Sequence, residues 1–175
     1  MSDAPRPLIT NVASAPEETQ IEGEHWGSSW RVLTEGMRER GGRLGVVQNR
    51  LPPGRAGCPL HTHQLEDEVF YVLEGEGLLR YGDEVYPLRA GDCVSCPAGS
   101  GVAHQIANAS DRDLVYLAIG DRDPHEVCTY PESGKVYVRS LSLVSTIERK
   151  AYMDGEPEEP AIFTLPRAPG PAGER

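Results

Sequence analysis

Between residues 43 and 120 the chain alternates between short apolar runs and turn-forming residues. The runs are Leu44–Arg50, Glu68–Leu73, Gly77–Tyr81, Glu84–Leu88, Asp92–Cys96, Gln105–Asn108 and Leu114–Ile119. Between them lie Pro52-Pro53-Gly54, Glu74-Gly75, Gly82-Asp83, Ala90-Gly91, Pro97-Ala98-Gly99 and Ser110-Asp111. Runs too short for helices, closed by turn residues at regular intervals, predict an all-β sandwich or barrel.

The flanks are less regular. Residues 1–42 form an N-terminal arm with little periodicity. It carries Trp26 and Trp30, and Ser29–Thr34 fits an edge strand. Residues 43–120 are the expected barrel core. Residues 121–175 add a strand at Lys135–Arg139 after the turn Pro131–Gly134, then Leu141–Ala151, which fits either a strand or a short helix. A tail rich in Pro, Gly and Glu follows and should be extended. Its apolar island Ile162–Leu165 is expected to dock on a sheet edge.

Composition supports the β reading. The 19 Gly and 15 Pro among 175 residues disfavour long helices, and the length suits one domain. A net charge of −10 argues against nucleic acid and anionic membrane surfaces as partners. The apolar stretch around Leu114–Ile119 is far short of the roughly 20 residues that a membrane-spanning helix needs. The N-terminus shows neither a basic segment nor an apolar one of the secretory kind, so a cytoplasmic location is expected. Cys58, Cys93, Cys96 and Cys128 should then be free thiols. Cys93 and Cys96 form a C-x-x-C, but on a strand residues i and i+3 face opposite ways. They read as small buried apolar residues.

Chemistry is concentrated in two stretches. In His61-Thr62-His63 the histidines sit at i and i+2 of an extended segment and share a face, within reach of one ion. After Gln64-Leu65-Glu66-Asp67, Glu68 opens the strongly β run Val69–Leu73, which ends at Gly75. Further on, a strand from Gly91 closes at Pro97-Ala98-Gly99, and His104 opens another that Asn108 terminates. Strand alternation points Asp67 away from the interior, and Glu66 is expected to be solvated in its turn.

These residues resemble the two motifs of the cupin superfamily. PGRAGCPLHTHQLEDEVFYVLEGEG matches the first through His61, His63, Glu68 and Gly75, with Gly54 one residue further upstream than usual. GDCVSCPAGSGVAHQIAN matches the second through Gly91, Pro97, Gly99, His104 and Asn108. It departs from the pattern in having four residues, Ser100–Ala103, where two are usual. The resemblance covers residues 43–120. It implies a double-stranded β-helix (jelly-roll) barrel with extended arms and a mononuclear site in which His61, His63, Glu68 and His104 hold the metal.

Three imidazoles and a carboxylate suit Fe, Mn, Zn, Ni or Co in the divalent state. Four protein ligands leave room on the ion for water or substrate, as in a catalytic centre. With Glu68 ionised the site carries a formal charge of +1, which attracts small oxygen-donor or anionic molecules. The function expected is Lewis-acid chemistry on a small polar or anionic metabolite, isomerase- or epimerase-like, and sugar-phosphate isomerase-like by family analogy. The alternatives are an Fe(II) dioxygenase and a non-catalytic binding or sensor protein. No catalytic base identifies itself.

His25 and His125 are expected on the surface, and Tyr71, Tyr81, Tyr86 and Tyr116 mainly in packing. Arg50, Arg55 and Arg80 are candidates for clamping an anion. A homodimer is expected, with the arms in its interface.

Overall fold

The computed structural model describes residues 6–167. The ends of both expected arms, residues 1–5 and 168–175, lie outside them. Thirteen strands carry the described fold, and its only helices are three-residue 3-10 turns at Arg38–Arg40, Arg139–Leu141 and Ala161–Phe163. None is long and apolar enough to cross a membrane.

A six-stranded antiparallel sheet is ordered β1 (Glu18–Glu22), β2 (Trp26–Val32), β3 (Leu44–Leu51), β10 (Leu114–Asp121), β5 (Glu68–Glu74) and β8 (Cys93–Cys96). A second layer contains β7 (Glu84–Arg89), β6 (Glu76–Tyr81) and β9 (His104–Ala107). It continues into β4 (Thr62–His63), β11 (Val127–Tyr130), β12 (Lys135–Val138) and β13 (Leu143–Thr146). The two parts of this layer meet where His61 and His104 exchange backbone hydrogen bonds of 3.2 and 2.9 Å. The result is a jelly roll whose sheets do not close into a continuous barrel.

Alternation along β5 shows how the sequence builds the layers. Phe70 and Val72 are buried, while Tyr71 and Leu73 between them face outward. Phe70 and Val72 join Leu51, Leu79, Leu88, Ile106, Leu114 and Tyr116 in one core. Gly75, at positive φ, makes the turn from β5 to β6, and a Cβ there would press into the Asp113 carbonyl. Asn108 is buried at the end of β9. Its amide donates 2.7 Å hydrogen bonds to the carbonyls of Leu51 and Arg112. The second motif's Asn therefore ties a loop and stays away from the site.

Several expectations need correction. The N-terminal strand starts earlier than expected, at Trp26, and is half of a β1–β2 hairpin. Leu141–Ala151 holds a short strand, β13, without a helix beyond the 3-10 turn before it. Ile162, Phe163 and Leu165 are 78, 75 and 63% exposed and dock on no edge of this chain. Cys96 is buried, but Cys93 is exposed, because alternation sends it to the outer face. Tyr71 and Tyr86 are also exposed and pack little.

Candidate metal centre

Three elements bring the four motif residues together. His61 and His63 flank Thr62 on the extended segment at β4, so both rings face inward while Thr62 Oγ1 meets Thr129 Oγ1 at 2.6 Å on the other side. Glu68 opens β5, and His104 opens β9, fixed to His61 by the backbone pair. The extra residues after Gly99 do not displace His104. Ser100 and Gly101 are exposed, Gly82 N–H bonds the Ala103 carbonyl at 2.8 Å, and His104 is 2% exposed.

The inward atoms cluster closely. His61 Nε2 lies 3.1 Å from His63 Nε2, and Glu68 Oε2 lies 3.0 Å from His104 Nε2 and 3.3 Å from His63 Nε2. Neighbouring ligands about 2.1 Å from a shared ion stand about 3 Å apart, so this cluster fits a divalent metal. The four residues could hold one ion.

The protons are distributed unevenly. His61 Nδ1 lies 2.9 Å from the Pro59 carbonyl, which only accepts, so Nδ1 carries the hydrogen and Nε2 faces inward bare. Burial and the neighbouring His104 lower the pKa of His61 to about 4. Burial also acts against charge on His63, but hydrogen bonds to Cys128 and Glu68 outweigh it and raise that pKa to about 10. For Glu68, burial alone would favour the neutral acid. The hydrogen bonds from His104 and His63 overcome it and hold the pKa at about 2. In the metal-free protein a proton on His63 Nε2 sits where an ion would go.

Behind His63 lies a group that sequence reasoning missed. Glu126 is fully buried, and its two oxygens accept the Gln64 and Leu65 N–H groups at 2.8 Å each. Its Oε1 is 3.4 Å from His63 Nδ1, and Cys128 Sγ is 3.6 Å from the same nitrogen. His63, Glu126 and Cys128 could also be taken for a metal triad. Each Glu126 oxygen already accepts a backbone N–H, and Oε1 lies beside His63 Nδ1, so the geometry fits support of His63 better than a second ion. Glu66 corrects an expectation: it is 4% exposed, paired in a fork with Arg139, and 3.8 Å from His63 Nδ1. This carboxylate is held by Arg139 and by the Asp123 N–H, neither of which is visible from the local sequence. The signal that could have revealed β11 is the alternation Glu126, Cys128, Tyr130, which places all three on one face.

A cavity of about 360 Å³ opens onto His61 and Glu68. Strands β2, β3, β10 and β5 supply its floor through residues two apart on each strand. Asn49 stands opposite both Trp30 and Tyr116, and Ala118 opposite both Val47 and Phe70. Tyr130 and Cys58 line the rim, with Cys58 Sγ 3.8 Å from His61 Nδ1. None of the candidate arginines reaches it. Arg50 pairs with Asp113, Arg55 donates to the carbonyls of Gly23 and Trp26, and Arg80 pairs with Glu132. His25 and His125 are exposed, as expected.

The fold is that of a small jelly roll with a cluster that could hold a metal ion, and comparison with known proteins agrees on the fold. The family described as the Cupin domain matches residues 48–120. An uncharacterized protein of Methanocaldococcus jannaschii is 31% identical over 105 residues, 60% of this chain and 74% of that one. The chain belongs to the cupin superfamily. An oxalate-binding protein of Thermotoga maritima is 40% identical over 70 residues, 40% of this chain, and the match spans only 55% of its length. Among solved structures, a candidate sugar phosphate isomerase of Acidithiobacillus ferrooxidans superposes with a TM-score of 0.69 at 25% identity. That match covers 82% of this chain and 97% of the other.

Proposed function

We propose that His61, His63, Glu68 and His104 bind one divalent transition-metal ion, and that the protein is an enzyme isomerising or epimerising a small polar or anionic metabolite. The observation that carries this reading is the gathering of three Nε2 atoms and one carboxylate oxygen, 3.0–3.3 Å between neighbours, beside an open cavity. A bound ion supplies Lewis acidity, polarising a carbonyl or hydroxyl of the substrate. Isomerisation moves a proton between adjacent carbons and needs no co-reactant. The chain's own contribution is to orient the substrate and hold donors near the developing charge. Burial raises the pKa of Tyr116 and Tyr130, and at neutral pH both face the cavity as protonated donors. The resemblance to a candidate sugar phosphate isomerase supports the reaction class.

The test is elemental analysis of the purified protein, followed by incubation with aldoses, ketoses and hydroxy acids in D2O under NMR. Metal-dependent deuterium uptake beside the carbonyl or hydroxyl, abolished in Glu68→Ala, is expected. A full metal complement with no exchange in any compound overturns the enzymatic reading in favour of a binding protein.

A further inference from the structure

The side chains around the cavity constrain what enters it. Ser28, Asn49, Tyr116 and Tyr130 offer hydroxyls and an amide, and none of these groups bonds to another described residue. No fully buried side-chain nitrogen or oxygen among the described residues lacks a partner, so these four groups keep contact with the open space. Tyr116 is the clearest case: the residue is 5% exposed, lines the cavity, and carries its hydroxyl beside Gly57. On the sheet floor the apolar row Val47, Ala118 and Phe70 lies between Glu68 and the row of Asn49 and Tyr116, with Ser28 two residues beyond Trp30 on β2 and Tyr130 on β11. Successive rows on a sheet face are roughly 7 Å apart.

Among the described residues, no lysine or arginine lines the cavity. Arg31, the basic residue nearest in sequence to Trp30, is taken by Glu17 and the Ala15 carbonyl, and Arg139 is taken by Glu66. Phosphate esters are held by basic side chains, by the amides of a helix N-terminus or by a nest of backbone N–H groups. The described helices are single 3-10 turns outside this cavity.

Resting on the metal-site reading above, we infer that the substrate is an unphosphorylated polyhydroxy compound, a sugar or sugar acid. Two adjacent oxygens bind at the metal, within reach of the Tyr130 hydroxyl beside His61, the C–H face lies over Phe70 and Ala118, and the distal hydroxyls meet Ser28, Asn49 and Tyr116. Neutral donors and acceptors beside aromatic rings match hydroxyls and C–H groups. A phosphate dianion placed there would be stripped of water with no cation to replace it. The site's one positive charge serves the end of the ligand that touches the metal.

The test uses full-length protein loaded with Mn(II) and two probes, D-gluconate and 6-phospho-D-gluconate, which share the carboxylate and its neighbouring hydroxyl and differ by one phosphate. Calorimetry should show gluconate binding at least tenfold more tightly, an order-of-magnitude expectation. Ser28→Ala, Tyr116→Phe and Tyr130→Phe remove one oxygen each and leave the packing in place. Each of the three is expected to weaken gluconate roughly three- to tenfold while metal content stays at the wild-type level. Equal or tighter binding of the phosphorylated probe, failure of both probes to bind, or gluconate binding indifferent to all three variants overturns the inference. Elemental analysis of the same samples separates the two readings. A chain that holds no metal overturns the proposed site and this inference with it, whereas full metal with the reverse preference overturns this inference alone.

Discussion

His61 and His63 are two residues apart and point at the same spot, but they are held in place by different means. His61 is oriented by a backbone carbonyl two residues upstream, a contact that its own loop supplies. His63 is oriented by side chains more than 60 positions away, Glu126 and Cys128, with Glu66 and Arg139 behind them. Burial and the neighbouring His104 outweigh the Pro59 carbonyl, which by itself favours charge, and His61 stays neutral. Burial also acts against charge on His63, but hydrogen bonds to Cys128 on one side and Glu68 on the other outweigh it, and the ring keeps a proton. Two identical residues in one motif therefore carry opposite protonation, and the difference comes from the groups that surround each ring.

The largest effect on this pair is removal of a proposed ligand. His61→Ala and Glu68→Ala are each expected to reduce bound metal to well under one ion per chain by elemental analysis, whichever way the remaining rings are held. The protonation contrast predicts the next effect. Metal binding requires His63 to be neutral, and its pKa near 10 means that the metal-free protein is protonated there at pH 7. Loading should release about one proton per metal, and affinity should rise about tenfold per pH unit through the neutral range. Calorimetry in buffers of different ionisation enthalpy counts the proton. His61, near 4, contributes no such dependence above pH 5. A midpoint near the ordinary histidine value of 6.5, as two unperturbed imidazoles would give, contradicts the contrast.

Smaller effects fall on the support of His63. Glu126→Gln keeps the shape but cannot accept from both Gln64 and Leu65. It is expected to weaken metal binding on the order of ten- to a hundredfold and to cost about 1–3 kcal/mol of stability. Arg139→Gln leaves Glu66 buried without its partner, which should cost about 2–3 kcal/mol, less than for a fully buried pair because Arg139 is partly exposed. Metal competition and thermal melts, run on both variants, separate support of the ring from support of the fold.

The sequence shows one side of this comparison better than the other. Seven strands between Leu44 and Ile119 were legible because each buries alternate residues and ends in a turn residue. The convergence of His61, His63, Glu68 and His104 was legible because motif spacing and alternation both place them inward. Glu126 was not. It stands just before β11, which pairs with the two-residue β4 across a long sequence gap, and nothing local marks an isolated Glu after Pro124 as buried. Glu66 was misjudged for the same reason, since its shield is Arg139, 73 residues on. The cavity wall follows suit: Ser28 and Trp30 sit in an arm with little periodicity, and only the register β2–β3–β10 places them beside Tyr116.

The smallest expected effect lies furthest from the site. Every described residue from Leu141 onward is exposed, including Tyr152 at 97%, Ile162 at 78% and Phe163 at 75%. Beyond β13 at Thr146, the described segment joins no strand. Deleting residues 147–175 therefore removes no buried contact among the described residues, and the melting temperature of a monomer should shift by less than about 2 °C, the scale of a few tenths of a kcal/mol. Apolar side chains left so open suit a second copy of the chain, the homodimer expected from the sequence, because exposed apolar patches mark contact surfaces. Light scattering on the full chain and on the deletion distinguishes the two roles. A dimer that becomes a monomer of lower stability assigns these residues to the interface. An unchanged mass and melting temperature leave the segment outside both the fold and the assembly, and a full-length mass near 19.1 kDa excludes the dimer.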